Sequence, residues 1–355
     1  MKITIIGAGN IGTAMAVEMA AKGHSVVMYS SKPDLWSKTI CEYDVEDNLL
    51  ASGEIAKATS DLKEAVSDAE MIVITVPSFM FGSLGQELES LVNPSQIIGV
   101  VPGSGGAEFA FAGLIQKGCT FFGLQRVHCI ARLKEYGRSV HMLGKKNNLY
   151  VGTIPSDRSQ LITGLLESLF DIPCVATKNY LAVTLTPSNP ILHTSRLYSL
   201  FHDYHEGITY SHNYLFYGEW TDEASDLLIR CDSEEQQLCD AIPLDLSDVV
   251  SLQKYYESPT AKAMTAKIRS IKAFDGLNSP MIKFHEGWIP DWSSRYFIAD
   301  FPFGLKIIKD IARLFDVSTP NIDLIWDWYA SNCPENAANA FQLNMGKQEL
   351  ISHYK

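Results

Sequence analysis

No two cysteines in this chain stand in a C-x-x-C spacing, and the seven present (Cys41, Cys119, Cys129, Cys174, Cys231, Cys239 and Cys333) are odd in number and scattered. That pattern excludes a disulfide frame and a zinc-ribbon site, so no metal is expected, and it suits free thiols in a reducing, cytoplasmic compartment. No apolar run reaches the length of a membrane span. No run of Lys or Arg offsets a formal net charge of −12. Neither a membrane nor a nucleic acid is therefore expected as a partner. Met1 leads straight into an apolar run, which leaves no secretory leader to expect. Internal repeats and low-complexity linkers are missing as well. What remains is an ordinary globular composition, 46% hydrophobic and 20% charged over 355 residues, long enough for two domains with a sizeable core.

The most informative segment is the start. Residues 3–6 are an apolar run that reads as a buried parallel strand, and residues 13–21 favour a helix. Between them Gly7, Gly9 and Gly12 stand as G-x-G-x-x-G. In such a unit the first glycine makes the tight turn, the second lets a pyrophosphate approach bare backbone, and the third lets the helix pack on the strand. The helix N-terminus, with Asn10 and Ile11 in the turn, offers N–H groups and a positive dipole end to phosphates. This predicts a dinucleotide site.

The second strand, near residues 24–29, lacks the Asp or Glu that usually bonds an NAD ribose 2′-OH. Ser30, Ser31 and Lys32 stand there instead. Two hydroxyls and a cation suit a 2′-phosphate, so NADP(H) is expected over NAD(H), with NAD(H) still open. A polar turn before Pro33 is the plainer reading of the same residues.

The rest of the first half alternates strand and helix signals: a short helix at 60–69, a buried strand at 71–77, an amphipathic helix at 79–91, and a strand at 96–101. A helix at 107–116, a strand at 120–124, a helix at 161–170 and a strand at 174–177 complete it. This predicts a doubly wound parallel α/β sheet. Val76, Pro77 and Gly103, beyond the carboxyl ends of two strands, are placed beside the cofactor or serve as turn residues. Residues 139–143 and 149–154, around the polar turn 144–148, read as an antiparallel hairpin added to the sheet. From about residue 179 the text turns helical and aromatic, without strand runs. The expected division is a dinucleotide-binding domain at 1–177 and an all-α substrate domain at 178–355. A helix near 322–330, with Trp326 and Tyr329 on one face, offers either core packing or a homodimer contact.

Hydride transfer needs a proton donor or acceptor near the reacting carbon, and histidine is the usual choice near neutral pH. Of nine histidines, His193 follows Pro187 and Pro190 on the first turn of a helix, where a side chain aims well into a cleft. His202, His205 and His212 read as structural or exposed. Arg295 is a natural fork for a substrate carboxylate, or one half of an ordinary ion pair. Asp300 precedes Phe301-Pro302, where the chain is expected to leave a helix. A carboxylate there can hold an imidazole in its productive tautomer or cap the helix.

These motifs taken together carry a resemblance. The N-terminal fingerprint, Asn189-Pro190-x-x-His193, and Ser294-Arg295-Tyr296-x-x-x-Asp300-x-Pro302-x-Gly304-Leu305 resemble the opine dehydrogenases. Val140 to Pro155 and Phe315 to Asp323 are similar to further motifs of that family. The resemblance implies a Rossmann-type first domain and a helical second domain. It also implies NAD(P)H-dependent reduction of the imine formed between an amino acid and a 2-oxo acid such as pyruvate. It maps a His–Asp pair onto His193 and Asp300, and places Arg295 and Asn189 near substrate. The stretch 202–258 matches no family motif and is expected to shape the amine pocket. Two other classes fit the same architecture: a ketopantoate reductase-like or 2-hydroxy acid dehydrogenase that needs no amine, and a non-catalytic dinucleotide sensor.

Overall fold

The computed structural model describes residues 1–354, which form two compact units: Met1–Thr184 together with Tyr354, and Leu185–His353. The strands of the first unit are β1 (Lys2–Ile6), β2 (Ser25–Tyr29), β3 (Thr39–Tyr43), β4 (Leu49–Glu54), β5 (Lys57–Thr59) and β6 (Met71–Ile74). After them come β7 (Ile97–Val100), β8 (Thr120–Leu124), β9 (Cys129–Glu135), β10 (Ser139–Lys145), β11 (Leu149–Ile154) and β12 (Cys174–Ala176).

Eight strands form the main sheet in the order β12-β11-β8-β7-β6-β1-β2-β5. From β8 to β5 all neighbours are parallel, and β11 runs antiparallel to β8. This is the doubly wound sheet read from the sequence. Its central strands are apolar throughout because both faces are covered: Met71, Ile72, Val73 and Ile74 are fully buried, as parallel sheets require. Helix Asn10–Ala21 lies on one face, with Ala14, Met15, Ala16 and Val17 wholly buried.

A second sheet, in the order β4-β3-β10-β9, corrects one expectation. Residues 139–143 and 149–154 do not pair as a hairpin. β10 pairs with β9 and β3, while β11 pairs with β8 and β12. The turn at Tyr136 and Gly137, with Gly137 at φ +72°, gives β10 a nearer antiparallel partner than the polar turn at 144–148 does. β11 carries adjacent buried residues Val151, Gly152 and Thr153, a pattern suited to the interior of the main sheet. The helix expected at 107–116 is also two pieces, Ala107–Ala110 and Ala112–Gln116, broken at Phe111. Phe111 packs against Phe81 and Phe121 there.

The second unit is helical, built on Asn189–Phe201, Asp222–Ala241, Ala261–Arg269, Lys306–Leu314 and Pro320–Asn332. Thr221 and Thr260 start two of these helices by accepting backbone N–H bonds from Ala224 and Ala263. It is not purely α. A hairpin of β13 (Met281–Phe284) and β14 (Gly287–Pro290) interrupts it, and strands of four residues give too little alternation to read. Helix Pro320–Asn332 turns its aromatic face inward: Trp326 is 8% exposed and Tyr329 is fully buried. That face belongs to the core of this unit, so these two side chains cannot supply the dimer contact entertained above. No helix among the described residues is long and apolar enough to cross a membrane.

Candidate active site

The candidate site of the first unit is backbone. Gly7 holds φ +124°, a conformation that side chains rarely adopt. A Cβ on Gly12 would lie 1.8 Å from the Gly7 carbonyl oxygen, whereas one on Gly9 would meet nothing within 4 Å. The three glycines thus have separate reasons: turn, open approach, and contact between helix and turn. Gly9 precedes the first helical residue and has no side chain to cap the helix, so first-turn N–H groups of a twelve-residue helix stay open to an anion. Thr75, just past β6, donates through its hydroxyl to the Gly7 carbonyl at 3.1 Å. The Asn10 side chain accepts from the Leu133 N–H at 2.9 Å, which ties the start of the helix to β9. These residues fit a bound dinucleotide.

At the end of β2, Ser30 is buried, its hydroxyl sharing a hydrogen bond with the Tyr136 hydroxyl at 2.7 Å and accepting from the Lys32 N–H at 3.0 Å. Ser31 and Lys32 are exposed, and the Lys32 ammonium lies 5.9 Å from the Tyr136 ring centre. Val76 and Pro77 are half-buried beyond β6. Gly103 is buried, and its lack of a side chain answers a packing need: a Cβ would come within 2.5 Å of the Gly123 Cα. Tyr180 donates to the Gly103 carbonyl at 2.9 Å. Three buried carboxylates of this unit, Glu18, Glu42 and Glu108, went unread. Glu18, on the inner side of the fingerprint helix, bonds His128 at 2.7 Å and Lys145 at 2.5 Å. Burial alone would raise its pKa, yet these two partners hold it below the usual range. Glu108 is wholly buried and lifted to about 7 by that burial.

The candidate site of the second unit is made of side chains. His193 sits early in helix Asn189–Phe201, whose first turn carries Pro190 where a missing N–H costs nothing. Its Nδ1 lies 2.8 Å from Asp300 Oδ2, with side chains 12% and 16% exposed. Sequence reading singled out both residues, and the fold brings them together across 107 positions. An imidazole Nδ1–H donating to a carboxylate leaves Nε2 as an acceptor. Tyr217 then occupies that nitrogen, its hydroxyl 2.9 Å from Nε2. The Tyr296 and Phe216 rings pack on the imidazole at 4.9 and 5.5 Å.

Asp300 is placed by an unusual element. Residues Tyr296–Leu305 form a π-helix that holds Pro302 inside it and runs on into helix Lys306–Leu314. The chain therefore does not leave the helix after Asp300, contrary to expectation. In a π-helix the N–H of residue 302 would bond the carbonyl of residue 297. Pro302 has no N–H, and the buried Tyr329 hydroxyl donates to the Phe297 carbonyl instead, at 2.9 Å. Arg295, just before this helix, is exposed, and Asn189 is exposed at the start of its own helix. Arg196 is the buried arginine nearby: it donates to the Phe216 and Glu219 carbonyls at 3.0 and 2.8 Å. It also lies over the Trp220 ring, and burial lowers its pKa to about 10.

Sequence reading missed Tyr217, Tyr296 and Arg196. Only the aromatic density of 202–258 hinted at the first. His202, His205 and His212 are exposed or half-exposed, as read. Among the described residues no group of three His, Cys, Asp or Glu side chains converges on a metal position.

Comparison with known proteins agrees with this geometry. The α-helical domain of the NAD/NADP octopine/nopaline dehydrogenases matches residues 176–333, and the N-terminus of NAD-dependent glycerol-3-phosphate dehydrogenase matches residues 2–107. Tauropine dehydrogenase of Arabella iricolor is 27% identical, covering 92% of this chain and 90% of that protein. Opine dehydrogenase of Haliotis discus hannai is 26% identical, covering 92% and 89%. An octopine dehydrogenase solved with NADH and agmatine superposes with a TM-score of 0.85 at 21% identity, over 100% of this chain and 98% of that one. A ketopantoate reductase from Ralstonia eutropha shares the fold at a TM-score of 0.63 and 13% identity, over 95% and 99%. With its glycine turn, its half-buried His–Asp pair and these matches, the chain resembles the opine dehydrogenases over both units and is, like them, an NAD(P)-dependent oxidoreductase that acts on CH–NH bonds.

Proposed function

We propose that this protein condenses an amino acid with a 2-oxo acid such as pyruvate and reduces the resulting imine, with NADPH preferred over NADH. The observation that carries the reading is the His193–Asp300 pair at 2.8 Å, backed by aromatic rings and largely shielded from water. A dihydronicotinamide supplies the hydride when bound. Everything else falls to the chain. Gly7, Gly9, Asn10, Ile11 and Gly12 hold the pyrophosphate, with Val76, Pro77 and Gly103 beyond the neighbouring strand ends. His193, kept in one tautomer by Asp300, exchanges protons as the amine adds and water leaves. Arg295 offers a planar two-pronged donor to the 2-oxo acid carboxylate, and Asn189 lies one helical turn before His193. The NADPH preference is supported by the missing carboxylate after β2 and by the exposed Ser31 and Lys32. The buried Ser30 orders that corner through Tyr136.

The test is oxidation of reduced dinucleotide with pyruvate fixed and amino acids added singly. Oxidation that needs both substrates is the expected result. Oxidation with the keto acid alone makes the protein a simple ketoreductase, and tight dinucleotide binding without turnover on any pair makes it a sensor. A higher kcat/KM with NADH than with NADPH removes the cofactor preference.

A further inference from the structure

Both ring nitrogens of His193 are taken by protein groups: Nδ1 by Asp300 at 2.8 Å and Nε2 by Tyr217 at 2.9 Å. No imidazole nitrogen is left to meet a substrate directly. Either Tyr217 leaves, or protons pass through it.

The surroundings of Tyr217 argue against leaving. Its side chain is 6% exposed. Its ring is stacked on Phe274, with centroids 4.0 Å apart and 17° between planes, and is nearly parallel to Trp220 at 6.2 Å and 6°. Phe216 crosses it edge-on at 4.8 Å. The backbone on either side is fixed too. Arg196, 1% exposed, spends its donors on the Phe216 and Glu219 carbonyls, and the Phe216 N–H bonds the Leu277 carbonyl at 2.7 Å. Swinging the phenol out would break two stacked contacts and a hydrogen bond in a dry setting.

We propose that Tyr217 is a catalytic residue that relays protons between His193 and the substrates, completing a chain Asp300–His193–Tyr217. The proposal rests on the amine and 2-oxo acid chemistry proposed above. The steps balance as follows. The substrate ammonium gives a proton to the Tyr217 oxygen while the phenol proton passes to His193 Nε2. The imidazolium so formed is stabilised by Asp300. The free amine attacks the carbonyl carbon, forming a C–N bond. The proton then returns from Nε2 to Tyr217, as the phenol proton passes to the alkoxide oxygen and makes it a hydroxyl. The adduct nitrogen, which still carries two protons, gives one of them to the same relay, and the relay passes it to that hydroxyl as the C–O bond breaks, so that water leaves and the protonated imine remains. The electron pair that reduces the imine carbon is the hydride of the reduced nicotinamide. Arg196 acts through Tyr217 as a positioning residue, since it holds the segment that aims the phenol.

The deciding variant is Tyr217→Phe, which keeps the stack and removes the hydroxyl. It is expected to lower kcat by about 100-fold, within the range for a proton-transfer group, with dinucleotide Kd and Tm unchanged. His193→Ala/Tyr217→Phe should be no slower than His193→Ala, because members of one relay do not add. Wild-type kcat in Tyr217→Phe overturns the relay. So does a raised kcat, which would show that the phenol only blocks Nε2. Should the variant fold poorly, fluorotyrosine at position 217 keeps the shape and acidifies the phenol. The alkaline limb of the kcat profile, where the phenol loses the proton it must pass on, should then move to lower pH, and an unmoved limb overturns the proposal. An unimpaired His193→Ala would instead break the functional reading itself, whereas a dead His193→Ala beside a fully active Tyr217→Phe breaks only the relay.

Discussion

The two units of this molecule build their candidate sites on opposite principles. In Met1–Thr184 the corner proposed to hold the dinucleotide is made by backbone: a glycine at φ +124°, a bare helix N-terminus and a helix pressed against a turn. In Leu185–His353 the groups proposed to react are side chains from three distant segments, His193, Tyr217 and Asp300, brought to hydrogen-bonding distance by tertiary packing. A backbone site is local and tolerates change in nearly everything except its glycines. A side-chain site is non-local and depends on residues that never touch substrate.

That contrast can be broken at several points, from the largest effect down. Asp300→Asn should lower kcat by about 10²–10⁴-fold, because the amide no longer fixes the imidazole tautomer or stabilises its cation. Dinucleotide affinity should stay near wild type, and steady-state rates beside a fluorescence titration check both. Gly12→Ala should do the reverse, weakening dinucleotide binding and costing about 1–3 kcal/mol of stability through overpacking. The new methyl would collide with the Gly7 carbonyl. If it bound dinucleotide normally, the backbone account of that corner would be wrong. Tyr329→Phe should cost about 1–3 kcal/mol by stranding the Phe297 carbonyl, and should lower kcat besides, since that carbonyl belongs to the helix presenting Asp300. A loss of stability with kcat intact would show Asp300 to be held by other means.

The smallest effect concerns pH. Burial lifts Glu108 from the usual 4.5 to about 7, although hydrogen bonds from Thr184 and Tyr354 pull the other way. A carboxyl whose pKa is raised by folding favours the fold when protonated. Its contribution is complete below about pH 4.5 and is lost as pH rises to about 7. Glu108→Gln should flatten part of the fall in Tm over that window. Glu42, lifted to about 7 by burial and by the charge of Glu18, and Asp232, lifted to about 6 by burial, add to the slope in the same sense. An unchanged slope would mean that Glu108 is ionised in the fold.

The same contrast explains what the sequence could tell. Gly7, Gly9 and Gly12 were legible because their reasons lie within twelve residues of one another, and the apolar runs of β1, β6 and β7 announce buried parallel strands. His193 and Asp300 emerged because each sits beside prolines that punctuate the chain and because the motifs around them resemble a family. Tyr217 carried no such mark. It is one aromatic among many in 202–258, and only packing shows which phenol reaches Nε2. The pairing of β10 with β9 was likewise hidden, since two strands flanking a polar turn look alike whether or not they pair. Pro302 pointed the wrong way: proline normally ends a helix, and its toleration here depends on Tyr329, 27 positions onward in the chain.

The π-helix over Tyr296–Leu305 also has a meaning in terms of insertions and deletions. Each of its turns carries one residue more than an α-turn, with bonds reaching to i+5. Removing a single residue ahead of Asp300 would turn that carboxylate about the helix axis, away from His193, while the segment could still remain helical and keep its apolar face. Removing a residue from the exposed stretch around His205 and Glu206 would shift nothing comparable. The chain is therefore free to change length in one place and locked to a residue count in the other, and the lock lies in a helix that would still look sound after it was broken.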